Sequence, residues 1–260
     1  MIKIKDLSYK YKEGNIGLKN INLEFNRGEI VIIIGSNGSG KSTLLSAIAN
    51  LIKYNGSITL DDTEIKKIKN KEYRKKVGIV FQNPNTQIVF NKVYDDIKFT
   101  LDNLEIDDVD NKIKKALSQV HMEEFINSNP YNLSMGQRQR IALASALSSD
   151  KEFLLLDEVT SMIDYNGKQE IYHIISELRK QNIGIIMTTN VIDELVYADR
   201  IIIMNDNHEI KGIYTKKEIF DNLKLLNDFY IPFKFKLINK VGYKKLKTLS
   251  DEELLKYVSK

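Results

Sequence analysis

"EIVIIIGSNGSGKSTLL", Glu29 to Leu45, decides the fold. Five β-branched residues, Ile30 to Ile34, stand in an unbroken apolar row. A strand of that kind is buried on both faces, as strands of parallel sheets covered by helices are. Glycines at 35, 38 and 40 then permit a tight turn. Lys41 and the residues after it read as a helix. Strand, glycine turn and helix in that order make the first half of a β-α-β unit.

The turn also has a chemistry. Gly35, Gly40, Lys41 and Ser42 fit G-x-x-x-x-G-K-[ST], the pattern of a phosphate-binding loop. Glycines let several backbone N–H groups point inward at phosphate oxygens, and the helix directs its positive end to the same place. The candidate cradle is Gly35, Ser36, Asn37, Gly38, Ser39, Gly40, Lys41, Ser42 and Thr43. Lys41 is suited to the β- and γ-phosphates of ATP, and the Ser42 hydroxyl to Mg²⁺. Downstream, "FLLLDE" (Phe153 to Glu158) is an apolar strand ending in two carboxylates. Asp157 is placed to hold Mg²⁺ through water, and Glu158 to orient or deprotonate an attacking water. The pair of motifs specifies a P-loop nucleotide-binding protein without choosing among kinases, GTPases, helicases and transport ATPases.

Outward from this unit the alternation continues. Val77–Phe81, Phe153–Leu156, Ile183–Met187 and Ile201–Met204 are further buried-strand runs, and helix-like stretches lie between them. "IKIKDLSYKY" and "LKNINLEF" alternate polar and apolar, and predict an antiparallel layer with one solvated face. Residues from about 92 to 150 read as a helical subdomain. The expected architecture is α/β: a P-loop NTPase parallel-sheet core, an antiparallel β layer, a helical subdomain and a small C-terminal helical appendage. Residues 1–222 form the main domain and 223–260 the appendage, whose last helix opens at the Ser250/Glu253 capping-box pattern.

Composition narrows the partners. The chain has 260 residues, 42 % of them hydrophobic, enough for a sizeable core. It has no cysteine, which excludes disulfides and thiolate metal sites. No apolar run approaches the roughly 20 residues of a membrane span, and the charged N-terminal stretch reads as no secretory leader. The net charge of +4 reads as a solvated lysine-rich surface. No dense basic stripe with interleaved aromatics favours nucleic acid. His121, His173 and His208 show no metal-ligand spacing and read as ordinary surface or boundary histidines.

"NLSMGQRQRIALASAL", residues 132 to 147, resembles the signature motif of ABC ATPases, with Leu133, Ser134, Gly136 and Gln137 matching. Its physical sense is independent: Ser134 is a good helix N-cap, and Gly136 leaves a backbone N–H open to an anion. Companion motifs stand in the order of that family. Tyr11 stands at the adenine-stacking aromatic, Gln82 in "VFQNP" at the Q-loop glutamine, and "SMID" (Ser161 to Asp164) at the D-loop. The resemblance implies that Gln82 is a metal ligand and catalytic residue beside Glu158. It also implies that Ser134, Gly136 and Gln137 close over the ATP of a second subunit in a head-to-tail dimer. "VFQNPNTQIVFNKVYDDIKF" is similar to the ATPases of energy-coupling factor transporters, closest to the first of their two paralogous subunits. That implies a paralogous ATPase partner, a transmembrane coupling protein, a substrate-binding membrane protein reached indirectly, and a peripheral position on the cytoplasmic face of the cell membrane. Imported vitamins or other micronutrients are the cargo of such modules.

Two positions depart from the family pattern. Met135 stands where the signature has glycine, which adds bulk and makes a positive φ costly. Asn190, in "IIMTTNVIDEL" (Ile185 to Leu195), stands at the switch histidine. An amide can bond a γ-phosphate but cannot carry a proton. Asn190 can equally cap the short helix expected from Val191. The resulting expectation is a site that binds Mg-ATP and hydrolyses it slowly. Asp95 and Asp96 are expected to be exposed and to receive a basic coupling helix. Phe229 to Phe233 are expected to pack on the core or between ATPase subunits, and Lys244, Lys245 and Lys247 to be solvated. Two alternatives stay open: a non-transport ABC ATPase, and a regulatory nucleotide-binding subunit with little turnover. DNA-repair types need a long coiled-coil insertion between Q-loop and signature, where this chain has only about 50 residues.

Overall fold

The computed structural model describes residues 1–232 and Phe235. In chain order the elements are β1 (Ile2–Lys10), β2 (Ile16–Phe25), β3 (Ile30–Ile34), α1 (Lys41–Ile48), β4 (Asn55–Leu60), β5 (Thr63–Glu64), α2 (Asn70–Lys76) and β6 (Val77–Val80). They continue with α3 (Val93–Asn103), α4 (Val109–Gln119), α5 (Met135–Leu147), β7 (Phe153–Asp157), α6 (Tyr165–Lys180), β8 (Gly184–Thr189), β9 (Arg200–Met204), β10 (Ile210–Thr215) and α7 (Lys216–Asp221).

Two sheets form, as the two hydropathy patterns require. The alternating segments pair antiparallel in the order β2-β1-β4-β5. The continuous apolar runs make the parallel strands β9, β3, β8, β7 and β6 of a sheet of order β10-β9-β3-β8-β7-β6, to which β10, alternately half-buried and exposed, adds antiparallel at the edge. Strand β3 shows why its run is unbroken. Ile30, Ile32 and Ile34 face a core shared with α3 to α6, whereas Val31 and Ile33 face a core shared with α1 and the antiparallel sheet. Both faces are covered, so both sets of side chains are apolar. Sequence reading passed over β4, β5 and α2. β4 opens on Asn-Gly-Ser, β5 has two residues and α2 is short and charge-rich, so they carry little periodic signal.

Helices α3, α4 and α5 pack on one another and on the β6–β7 side of the parallel sheet. After β10, a capping box of Thr215 and Glu218 opens α7, which buries Ile219 and Phe220. Phe229 and Ile231 pack on the large core, and Phe220 meets Phe235 at 5.2 Å between ring centroids. Tyr230 instead is exposed. Phe233, the three tail lysines and the Ser250/Glu253 pattern lie outside the described residues.

The register sets up the site. Asp157 pairs with Thr188 across β7 and β8, and Ile34 pairs with Thr189 across β3 and β8. The polar ends of β7 and β8 therefore lie level with the loop that leaves β3. Ligand crevices of open α/β sheets form at such ends.

Candidate active site

The loop Gly35 to Gly40 turns tightly before α1. Gly40 has φ 104°, and a Cβ there would lie 2.4 Å from the Gly17 carbonyl oxygen, so glycine is required twice over. Gly40 is also the N-cap of α1 and supplies no capping side chain. The first N–H groups of α1 are thus left for a ligand, and the helix dipole favours an anion. Lys41 is 5 % exposed, and its ammonium donates to the carbonyls of Gly35 (2.9 Å) and Ser36 (3.1 Å). It also lies 3.5 Å from a Glu158 carboxylate oxygen.

The strand ends add acids and hydroxyls. Asp157 Oδ1 accepts hydrogen bonds from the Ser42 hydroxyl (2.9 Å) and the Thr188 hydroxyl (2.7 Å). Thr188 Oγ1 in turn accepts from the Glu158 N–H at 3.1 Å. Glu158 has φ 47°, a left-handed backbone that a glutamate adopts only at a cost in strain. The Thr188 contact helps to hold it there. Gln82 Nε2 donates to Glu158 (3.2 Å) and to the Ser161 hydroxyl (3.1 Å). Ser42, Asp157, Gln82 and Glu158 form one array of oxygen and amide groups. Hard oxygen donors of this kind suit Mg²⁺, which takes most of its ligands from water and phosphate. No group of three or more His, Cys, Asp or Glu side chains able to hold a metal occurs among the described residues.

Tyr11, Asn37, Lys41, Gln82, Glu158 and His208 all border one pocket of about 350 Å³. The Tyr11 hydroxyl bonds Thr43 Oγ1 at 2.6 Å, leaving an exposed ring at the pocket edge. Asn190 Nδ2 reaches Asn37 Oδ1 at 3.4 Å. The capping alternative for Asn190 does not hold. Val191 N–H bonds Thr189 Oγ1 instead (2.9 Å), and the following turn, Ile192–Tyr197, is a 3₁₀ helix. Asn190 is exposed and faces the phosphate loop.

Ser134, Gly136 and Gln137 are not brought to this pocket. They border a separate cavity of about 500 Å³ with Met135, Met162 and Asp164. Ser134 and Gln137 close a capping box. The Gln137 N–H donates to the Ser134 hydroxyl (3.2 Å), and the Ser134 N–H donates to Gln137 Oε1 (2.9 Å). The expected strain at Met135 is absent, because it is the first residue of α5 and needs no positive φ.

A third concavity, about 360 Å³, lies between α3, α5 and the β6 edge, and is bordered by Phe81, Gln87, Phe99, Asp96 and Lys151. Beside it Val89 is 65 % exposed, and Phe90 meets Phe99 at 5.2 Å. The expectation for Asp96 is corrected here: it is 5 % exposed. Its Oδ1 accepts from the N–H groups of Val89 (2.7 Å) and Phe90 (3.2 Å), so it fastens the loop from within. Burial pushes its carboxyl up, against the pull of those two donors. Asp95 alone is exposed. Lys151 donates to the Arg74 carbonyl, and burial of its ammonium pushes it down to about 7.

Sequence reasoning missed Thr188, Glu194 and His208. Thr188 left a signal, a hydroxyl at the polar end of an apolar strand. Glu194 is 1 % exposed, and one carboxylate oxygen accepts from Thr160 (2.5 Å) and Tyr172 (2.8 Å). It ties the turn after Asn190 to the segment after Glu158. His208 borders the phosphate-loop pocket, which no spacing rule reveals.

Residues 18–161 match the ABC transporter family. Over 99 % of this chain and 97 % of its own length, the energy-coupling factor transporter ATP-binding protein EcfA1 of Leuconostoc mesenteroides is 36 % identical. The protein of that name from Thermotoga maritima is 37 % identical over 93 % of this chain and 91 % of its own. Among solved structures, cbiO1 of Clostridium perfringens, part of the ABC transporter complex cbiONQ, superposes with TM-score 0.78 at 32 % identity, covering 87 % of this chain and 93 % of that one. A dimeric bacterial ABC transporter cassette superposes with TM-score 0.74 at 29 % identity, covering 83 % and 99 %.

Proposed function

The chain belongs to the ABC transporter family, and on that premise we propose that it is the ATP-binding, ATP-hydrolysing subunit of an energy-coupling factor importer. Hydrolysis would drive uptake of vitamins or other micronutrients. The observation that carries this reading is the segment after β6. Gln82 borders the phosphate-loop pocket, while its neighbours Phe81 and Gln87 border the apolar groove. Gln87 secures the segment by accepting from the Phe81 N–H (2.7 Å). A membrane partner seated in the groove would therefore press on the group that touches Glu158.

The geometry supports the following residue roles. Lys41 leaves the Gly35 and Ser36 carbonyls for the β- and γ-phosphates, with the α1 N-terminus behind them. Ser42, Asp157 and Gln82 are the groups that would hold Mg²⁺, which neutralises charge developing on the phosphates. Glu158, fixed by Thr188 and Gln82, orients and deprotonates water. Tyr11 stacks on adenine. Ser134, Gly136 and Gln137 lie in their own cavity, so they serve the nucleotide of a second ATPase subunit, a paralogue bound head to tail. ATP bridging the two subunits favours the closed pair, and loss of the γ-phosphate opens it. The remaining partners are a transmembrane coupling protein in the groove and, through it, a substrate-binding membrane protein. With those partners the proposed position is peripheral, on the cytoplasmic face of the membrane. No helix among the described residues is long and apolar enough to cross a membrane.

The test is co-expression with a candidate paralogue and coupling protein, followed by ATP-dependent solute uptake in proteoliposomes. Absence of a stable complex from every pairing rejects the importer assignment. Asn190 favours one refinement: this chain's own phosphate site is the slower of the two. In single-turnover hydrolysis by the heterodimer, Asn190→His is expected to speed the reaction. An unchanged or lower rate rejects the refinement.

A further inference from the structure

The turn at residues 158–161, which leaves β7, is closed by the Ser161 N–H on the Glu158 carbonyl (3.0 Å). Side chains pin it along its length. At its start the Glu158 N–H donates to Thr188 Oγ1 (3.1 Å), and at its end the Ser161 hydroxyl accepts from Gln82 Nε2 (3.1 Å). Between them Thr160, 2 % exposed, donates its hydroxyl proton to Glu194 Oε1 (2.5 Å). Glu158 holds φ 47° in this turn, and a strained backbone of that kind persists only where the surroundings over-determine it.

Glu194 reaches the turn from β8. It stands in the 3₁₀ helix Ile192–Tyr197, and its N–H bonds the carbonyl of Val191, the residue after Asn190 (3.2 Å). Thr188, Asn190 and Glu194 therefore belong to one short stretch of chain. The Glu194 carboxylate is buried, and its Oε2 meets no donor among the described residues. Burying a carboxylate is costly, and an apolar side chain of like volume would fill the same space at less cost. What the carboxylate adds is the pair of bonds on Oε1. One comes from the Tyr172 hydroxyl on α6 (2.8 Å), whose ring stacks on Tyr197 at 4.0 Å between centroids. The other comes from Thr160, in the turn that carries Glu158.

We propose that Glu194 is a positioning residue for hydrolysis: by holding Thr160 it fixes the 158–161 turn and, through that turn, keeps the Glu158 carboxylate beside Lys41 and Gln82. The role rests on Glu158 being the group that activates water.

One oxygen with two hydroxyl partners permits a matched test. Single-turnover hydrolysis is measured in the assembled dimer, and the quantity read is the part of the rate that Glu158→Gln removes. Thr160→Val and Tyr172→Phe each delete one buried hydroxyl from Glu194 Oε1 at nearly unchanged volume, so both are expected to lower the urea midpoint alike. Only Thr160→Val is expected to slow hydrolysis, about tenfold, with equilibrium affinity for Mg-ATP held within about twofold. Tyr172→Phe is expected to keep the rate within about twofold of the parent. Glu194→Ala is expected to be at least about tenfold slower, and Glu194→Gln, which keeps an acceptor oxygen for both hydroxyls, to recover to within about threefold of the parent. The two hydroxyl variants decide the matter even if Glu194→Ala fails to fold. A full rate in Thr160→Val, equal rate losses in Thr160→Val and Tyr172→Phe, a rate loss matched by lost ATP affinity, or no recovery in Glu194→Gln would each overturn the role of Glu194 and leave that of Glu158 standing. If Glu158→Gln itself removes none of the rate, the assignment of Glu158 falls, and the positioning role falls with it.

Discussion

The phosphate-loop pocket and the groove beside α3 are nearly equal in size, about 350 and 360 Å³, but they are built in opposite ways. In the pocket, most functional groups already have partners: Lys41 on two carbonyls, Ser42 and Thr188 on Asp157, Gln82 on Glu158. Each partner holds the group near where phosphate, metal or water would need it, which limits reorganisation on binding. The groove instead ends in solvent-facing Val89, Phe90 and Phe99. Its polar members look inward: Asp96 to the loop N–H groups, Lys151 to the Arg74 carbonyl. One concavity is ready for a small polar ligand. The other offers apolar surface to a partner. Segment 81–88 borders both.

The comparison can be broken by changing one side and reading both. The largest effect is expected from Glu158→Gln in the assembled dimer: hydrolysis falls about a thousandfold, while ATP still binds and tightens the dimer on gel filtration. Normal turnover in that variant would remove Glu158 from the chemistry. Lys41→Ala is expected to weaken Mg-ATP about a hundredfold in equilibrium binding, with recovery of the membrane partner unchanged. Phe99→Asp should reverse the pattern. Partner recovery drops about tenfold in pull-down, and ATP affinity stays within about twofold. Equal loss of both functions would show that the two concavities are not separable.

Two smaller effects sharpen the account of the groove. Asp96→Ala strips the acceptor from two loop N–H groups, and urea unfolding should show a loss of about 1–3 kcal/mol. Asp96→Asn keeps an acceptor and should lose less. If the two lose equally, the hydrogen bonds are not what matters. Lys151 gives a pH signature. Its folded value lies near 7, against 10.5 for an unperturbed lysine, so between those values the unfolded chain binds more protons. Stability from this group therefore rises with pH through that window. Lys151→Met is expected to be more stable than the parent near pH 7 and to lose that advantage toward pH 10. A pH-independent difference would contradict the burial of the ammonium.

The pocket was largely legible because its chemistry is local in the chain. The spacing of Gly35, Gly40, Lys41 and Ser42 builds a cradle from one strand and one helix. Asp157 and Glu158 advertise themselves as charges closing an apolar run. The groove was legible only in part. An acidic pair in "VYDDIKF" suggested a docking face, but an eleven-residue helix turned Asp96 inward and left Asp95 outside. Helical pitch separates adjacent residues by about 100°, so one of two neighbouring acids is commonly lost to the interior. Only packing decides which.

By itself, the sequence determined the parallel α/β core, the phosphate cradle and the two strand-end acids, because each depends on residues a few positions apart. Tertiary structure alone decided that Thr188 braces both acids, that Asn190 faces Asn37 rather than capping a helix, that the signature residues stand in a different cavity, and that His208 borders the nucleotide pocket. Those relations join residues from 30 apart in the chain, Glu158 and Thr188, to 197 apart, Tyr11 and His208, and no local periodicity encodes them. They come from the register of β7 against β8 and from the placement of the β9–β10 turn against β2, which form only when the sheets assemble.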